Sequence, residues 1–519
     1  MNSRTNNEPN EFQPLRSNRQ PQIVSGLNGS FDRKPLGEQN CAVRRQEIMV
    51  ILGNVGILSG GMALGLPTVT LRQLTDPNES IHLTLSQSSW FASLNMLSCP
   101  IGGLLCALIL DRLGRKRTLY LLNMFAIIAW LLMALSTHFN TETAYLMLMI
   151  SRLVIGITNG MSGAPVGVYA AEISMPKIRG RLILGTSIAV ASGITLIYLL
   201  GFFIRDDWQL IALICSGYQI ISLLCVIPMP ETPSWLISKG RIAEAKASMN
   251  YFRGLEKSAL ITNTEVEAEF NILQNSIQLG VGEKKPSFFR SLKLPEVYKP
   301  LLILITLFAF QQTTGIFVVI VYAVQISTEA GVTIDPFLCA VLIGITRVLT
   351  TCPMGIILEK WGRRRSGIIS ALGMCYCMFL LAAQSWSEWL SKVPFLPVIA
   401  IVGFILLSTL GLYTLPFFMI SELFPQKVRG PASGITVAVG MFLAFLCIKI
   451  YPSMKDVIGN EYCFVVYGVM AFLATIFIYL FLPETRGRTL LQIEDEFRHR
   501  LLRNSRSSAL VEMREVFIK

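Results

Sequence analysis

Long stretches of this chain carry no charged residue at all. Residues 48–71, 182–204, 208–230, 300–328, 366–387, 393–421 and 462–483 are clean runs of this kind. Each reaches the ~20 residues that a helix needs to cross hydrocarbon at about 1.5 Å per residue. Lipid offers no partner to a bare peptide group, so such runs form helices or a closed barrel. Barrel strands would show period-2 alternation over about ten residues, which is absent. Charged residues make up only 15% of the 519 positions, against roughly a quarter in a soluble protein. The reading is an all-α membrane protein.

Filling the gaps between the clean runs gives twelve spans, near 48–71, 87–110, 118–136, 144–170, 182–203, 208–228, 300–323, 335–358, 366–385, 398–420, 432–452 and 462–482. Residues 1–46 are polar, Asn-rich and broken by four prolines. They read as a disordered tail and not as a signal peptide. The segment 229–299 joins two six-span halves, 47–228 and 300–482, and reads as short amphipathic helices, for example Arg241 to Arg253. Residues 483–519 form a second tail.

The net charge of +12 raises nucleic acid as a partner, but its distribution points to a membrane. The short loops 111–117, 176–181, 359–365 and 425–431 hold thirteen Lys and Arg, whereas the intervening loops hold four, Arg72, Arg205, Lys392 and Lys455. The positive-inside rule then places the first set, and both termini, in the cytosol. The eleven cysteines lie mostly in or beside spans and imply no disulfide framework. Asn78-Glu-Ser80 in the first outer loop is a sequon open to glycosylation.

Three patterns recur at an offset of about 250 residues. Asp111-Arg-Leu-Gly-Arg-Lys-Arg117 returns as Glu359-Lys-Trp-Gly-Arg-Arg-Arg365. Glu172 with Arg179-Gly180 returns as Glu422 with Arg429-Gly430. Pro230-Glu231-Thr232 returns as Pro483-Glu484-Thr485. Their common order and spacing indicate duplicated, parallel halves. Topological anchoring explains the basic clusters alone. Acids beside arginines in both halves suggest more: ion pairs that hold in one conformation and break in another, each worth under about 1 kcal/mol at a wet surface.

These motifs resemble the sugar porters of the major facilitator superfamily, and within it the facilitated trehalose transporter group. The resemblance covers roughly 48–495 and rests on Gly102-Gly103 leading into Asp111-Arg112 and Gly114-Arg115, on Arg152, on Glu172 with Arg179-Gly180, on Pro230-Glu-Thr-Pro-Ser-Trp-Leu236, on Gln311-Gln312 with Gly315, on Glu359 with Gly362-Arg363-Arg364, on Glu422 with Arg429-Gly430, and on Pro483-Glu-Thr-Arg-Gly-Arg-Thr-Leu490. It implies the major facilitator fold: twelve helices in two pseudo-symmetric six-helix bundles, a central solute site and alternating access. It also implies that Asp111, Arg112, Arg115, Glu172, Arg179, Glu231, Glu359, Arg363, Arg364, Glu422, Arg429 and Glu484 form a cytosolic gate network. Arg152 belongs to that pattern too, in gating or packing.

A sugar needs amides, which donate and accept at once, together with aromatic surface. Gln311 and Gln312 lie mid-span, flanked by Phe308, Phe310 and Phe317. A helix–helix hydrogen bond would explain them; a hydrated cavity explains them better, and the resemblance assigns them sugar contact. Against the family pattern, Phe317 stands for an Asn, Ser187 for a Gln, and Tyr413-Thr-Leu-Pro416-Phe417 keeps only one proline and an aromatic. Gly440 and Ala444 replace an Asn pair. Arg347 sits mid-span, where it costs about 2.5–3.5 kcal/mol on insertion scales. It either bonds to protein groups or contacts the solute.

The span over 48–71 contains no acid, and the three His lie outside mid-membrane, so a uniporter is expected over a proton-coupled symporter. Alternatives are a carrier of another solute, such as an organic anion held by Arg347, and a transport-dead receptor. No nucleophile–base pair, metal cluster or phosphate loop is visible, so neither an enzyme nor a cofactor is expected. The expectation is a monomer in the plasma membrane whose partners are lipid and a small solute, with no nucleic acid.

Overall fold

The computed structural model describes residues 36–79, 81–255, 264–280, 291–292, 294–425, 428–490 and 492–497. Among them the chain is helical, with no strand. The first half holds α1 (Leu36–Leu74), α2 (Leu85–Leu113), α3 (Arg115–Leu135), α4 (Thr141–Ile173), α5 (Pro176–Phe203) and α6 (Trp208–Val226). Three shorter helices follow, α7 (Pro233–Ser238), α8 (Ile242–Phe252) and α9 (Thr264–Gly280). The expected amphipathic segment from Arg241 to Arg253 is thus α8.

The second half differs from the first in continuity. Its first crossing is in three pieces, α10 (Pro295–Thr313), α11 (Ile316–Val321) and α12 (Ala323–Glu329). Its second is α13 (Pro336–Thr351) with α14 (Met354–Trp361), bent by 54°. After α15 (Arg363–Trp386) and the single turn α16 (Glu388–Ser391), its fourth is α17 (Leu396–Thr409) with α18 (Leu415–Leu423). The last two, α19 (Arg429–Ile458) and α20 (Asn460–Phe481), are continuous. Nine helices among the described residues are each long and apolar enough to cross a membrane alone. The twelve expected crossings are reached with the three broken ones, whose breaks the apolar runs concealed.

The breaks have local causes. Gly315 takes φ +83°, a conformation that favours glycine, and a Cβ there would come within 2.9 Å of the Tyr467 ring. Pro353 separates α13 from α14, and Pro416 stands in the first turn of α18.

One tail expectation is corrected. Residues 36–46 are helical, and α1 at 39 residues is about 58 Å long, far beyond the ~30 Å hydrocarbon core. Its overhang is held by the linker. Gln46 is fully buried; its Nε2 donates to the Phe252 carbonyl at 2.9 Å, and its Oε1 accepts from the Met175 N–H at 3.0 Å. Arg45 packs over the Tyr251 ring at 5.1 Å and donates to that residue's carbonyl. Residues 1–35 and 498–519, the bulk of both expected tails, lie outside the described residues, as does Ser80 of the sequon; Asn78 is exposed.

Within the first half α1 packs on α5 and α2 on α4; within the second α15 packs on α20 and α17, and α10 on α19. The halves meet through α2 with α19, α5 with α13, and α1 with α11. Leu104, Leu108, Phe125, Ile128 and Leu349 point outward, as suits a bundle solvated by lipid. Small residues let the first-half helices touch backbone to backbone. A Cβ on Gly160 of α4 would fall 1.9 Å from the Cys99 carbonyl oxygen of α2, and one on Gly61 of α1 would fall 2.1 Å from the Val190 carbonyl oxygen of α5. Gly163, one turn along α4, has nothing within 4 Å.

This contrast gives a direct test. Gly160→Val is expected to abolish monodisperse protein in detergent, whereas Gly163→Ala keeps the wild-type elution profile and melts within about 2 °C of it. Equal behaviour of the two would refute the close crossing.

Candidate functional site

The end of the bundle that carries the basic loops is built twice, once in each half. Gly114 and Gly362 adopt φ +94° and +86° directly before α3 and α15. Each presents the free N–H groups of a helix start to a carboxylate. Glu231 accepts from the N–H of Arg115 and of Lys116 at 3.0 and 3.1 Å. Glu484 accepts from those of Arg363 and Arg364 at 3.1 and 3.2 Å. A Cβ on Gly114 would lie 2.4 Å from Glu231, and one on Gly362 2.6 Å from Glu484, so both backbone angle and space call for glycine. Burial pushes the Glu231 carboxyl above its usual range, and the N–H groups of Thr232, Arg115 and Lys116 pull it back.

Beside each cap runs an ion pair. Arg115 meets Glu172 at 2.6 Å, and Arg363 meets Glu422 at 2.6 Å. Asp111 approaches Arg115 only to 3.8 Å and is 83% exposed. All these contacts stay inside one half. Arg179 and Arg429 do not pair with the neighbouring glutamates. Each folds back five residues to a carbonyl at the preceding helix end, Ser174 at 3.2 Å and Phe424 at 3.2 Å, because those carbonyls have no helical partner. Arg364 stacks on Tyr479 and donates to its carbonyl. Arg112 and Glu359 are exposed.

Arg152 stands apart from this network. It is 0% exposed and bonded to three carbonyls, Phe91 at 2.9 Å, Ala63 at 2.8 Å and Ala92 at 3.3 Å, with the Phe91 ring 5.1 Å away. It ties α1, α2 and α4 together: of the two roles expected for it, the contacts are those of packing.

Midway along the bundle, five second-half side chains converge around the break after α10. Gln311 donates to the Tyr413 carbonyl, and Gln312 donates to the Gln311 Oε1 at 3.0 Å. Both are buried, and the Gln312 Oε1 has no partner. The Tyr413 ring lies 5.9 Å from that of Phe317 and 4.0 Å beneath the Arg347 guanidinium. Phe417, 39% exposed, meets Phe308 edge-on at 5.2 Å, and Phe308 fills the space left by Gly440. Pro416 is buried and shapes the start of α18. Ser187 is exposed on α5, with no hydrogen bond to this group. Tyr413 is the member that sequence reasoning passed over; it stood in a segment singled out only for its proline and following aromatic.

At the opposite end the halves are locked. The Ile320 carbonyl, at the broken end of α11, accepts from Thr68 at 2.7 Å and from Tyr198, both of the first half. Lys449 of α19 donates to the Ser86 carbonyl at 3.1 Å and the Ser89 hydroxyl at 2.7 Å, and sits 4.5 Å over the Trp90 ring. Arg205 pairs with Asp335. At the basic end, by contrast, Gly163 and Gly167 of α4 and Gly430 and Gly434 of α19 face open space. The halves still touch near that end, where a Cβ on Gly355 of α14 would fall 2.8 Å from Leu184 of α5. No group of three or more metal-ligating side chains occurs among the described residues.

The family model for sugar (and other) transporters matches residues 54–497. The chain is 29% identical over 464 residues to the facilitated trehalose transporter Tret1 of Aedes aegypti, covering 88% of this chain and 56% of that protein. It is 29% identical over 421 residues to Tret1 of Apis mellifera ligustica, covering 80% and 81% respectively. The chain thus spans little more than half the length of the Aedes relative. Among solved structures, the inward-open xylose transporter XylE from E. coli superposes with a TM-score of 0.72 at 22% identity, over 86% of this chain and 98% of that one, a likeness that speaks for the fold.

The lock invites a test. Lys449→Met removes a cation–π contact and two hydrogen bonds, together about 1–2 kcal/mol. Hydrogen–deuterium exchange over 82–92 is expected to rise by about fivefold or more, while 141–150 stays unchanged. Unaltered exchange over 82–92 would show that Lys449 holds nothing there.

Proposed function

The chain belongs to the sugar (and other) transporter family, and from that premise we propose that it carries a sugar, such as trehalose or a hexose, down its gradient by alternating access. The carrying observation is the buried amide pair Gln311–Gln312 at a helix break, beneath the hydrogen bonds that join the halves at the far end. Its geometry suits a hydroxylated ring: donors and an unpartnered acceptor beside Tyr413, Phe317 and Phe417. Such a site exchanges its opening when the far-end contacts part and the basic ends meet. Closure there would bring the Arg115–Glu172 and Arg363–Glu422 clusters against each other, which is how they would serve as a gate.

Orientation and place follow from the same reading. The basic loops face the cytosol, both termini lie there, and the protein works as a monomer in the plasma membrane. Asn78, exposed in the first loop of the opposite side, is its glycan acceptor. The mode is uniport: residues 48–74 of α1 contain no acid, and Glu47 at its basic end is held by Arg181.

Reconstituted protein is expected to equilibrate labelled trehalose or glucose across liposomes without concentrating it, at a rate indifferent to a protonophore. Gln311→Ala with Gln312→Ala should lower kcat/KM at least tenfold. Accumulation collapsed by the protonophore would replace uniport by proton symport, and absence of any sugar flux would overturn the reading. Asn78→Gln should abolish the mobility shift that a glycosidase produces.

A further inference from the structure

Two arginines, Arg152 and Arg347, are buried in the apolar middle of spanning helices, and the fold treats them in opposite ways. Arg152 has its guanidinium saturated by three carbonyls. Arg347, 2% exposed, has none of this. Among the described residues its side chain joins no ion pair and makes no hydrogen bond to protein; Nη2 is enclosed and unpartnered, and the guanidinium rests on the Tyr413 ring, with Tyr198 within electrostatic reach. Nearby in the same cluster, through Tyr413 and Gln311, is the enclosed Gln312 Oε1, an acceptor without a donor.

A buried cation left in this condition is a binding determinant awaiting its counterpart. A neutral hydroxyl would satisfy one N–H and leave the charge uncompensated. A carboxylate satisfies both, through two parallel N–H···O bonds in the geometry a guanidinium prefers. The Tyr413 ring covers one guanidinium face, and the N–H groups at the edge make no hydrogen bond to protein among the described residues. No second cation joins Arg347 in the cluster, so a single negative charge matches the site, and a phosphate dianion exceeds it.

We propose that the central site takes a hydroxylated monocarboxylic acid, a sugar acid, with its carboxylate on Arg347 and its hydroxyls on Gln311 and Gln312. This deepens the sugar-transport reading and rests on the same cluster of side chains; the new element is the charge of the preferred solute. Carrying such an acid without a co-ion moves one charge per turnover, so its flux responds to the membrane potential, whereas flux of a neutral sugar does not.

The test uses the full chain in proteoliposomes with labelled glucose as tracer, and unlabelled glucuronate, glucose and glucose 6-phosphate as competitors. Glucuronate is expected to inhibit at a concentration at least tenfold below glucose, and the phosphate ester to do no better than glucose. Labelled glucuronate uptake should rise severalfold when a potassium–valinomycin gradient makes the interior positive. Arg347→Gln should lower the glucuronate-to-glucose uptake ratio at least tenfold, and Arg347→Lys should retain part of it. Should Arg347→Gln fail to fold, the wild-type competition decides. Glucose flux in which glucuronate competes no better than glucose, or an uptake ratio unmoved by Arg347→Gln, overturns this proposal and leaves sugar transport standing. A phosphate ester that alone outcompetes glucose overturns the carboxylate assignment. A chain that moves neither sugar nor acid overturns both.

Discussion

Every break in a lipid-embedded helix frees peptide groups that lipid cannot satisfy, and the structure is organised around finding them partners. The freed carbonyl of Ile320 is taken by Thr68 and Tyr198, and that of Tyr413 by Gln311. The bare amides at the starts of α3 and α15 go to Glu231 and Glu484. The last carbonyls of α4 and α18 go to Arg179 and Arg429. The polar residues that look functional in the sequence are therefore largely the residues that close the backbone ledger. Other buried polar atoms stay unpartnered, among them both amide atoms of Asn95, Nη2 of Arg347 and the Gln312 oxygen, and of these the last two share one cluster.

The duplicated sequence does not give duplicated mechanics. The first half consists of unbroken helices drawn together at backbone-to-backbone crossings near Gly61 and Gly160, with Arg152 bolting three of them. The second half carries the breaks, at Gly315, Pro353 and before Pro416, and the amide and aromatic cluster gathers around two of these. A stiff frame thus faces a jointed partner. The capped ion pairs at the basic end, confined to one half each, keep the helix ends of each half together in this state.

Much of this was legible in the residues. Uncharged runs announced the spans, and the recurrence of Asp111-to-Arg117 as Glu359-to-Arg365 announced the halves, because charge and glycine are tolerated in few places in a membrane protein. Gln311, Gln312 and Arg347 stood out because polar groups at membrane depth are costly. What stayed hidden depended on three-dimensional partners. Hydropathy cannot distinguish a broken apolar run from a straight one, so the joints of the second half were missed. Arg179 looked like a partner for Glu172 when its nearest acceptor was its own chain. Gln46 read as tail because its partners, Phe252 and Met175, are remote in sequence. Tyr413 carried no signal at all: one aromatic among many, made central by Arg347 over its ring, Phe317 beside it and Gln311 on its carbonyl.

The far-end lock has a property that follows from the chemistry of its members. Lys449 is gripped by a carbonyl, a hydroxyl and an indole face, none of which changes protonation in mild acid. The Arg205–Asp335 pair at the same end is partly exposed and is weakened by salt, as such pairs are. A closure resting chiefly on neutral acceptors keeps most of its grip when salt screens the ion pair beside it.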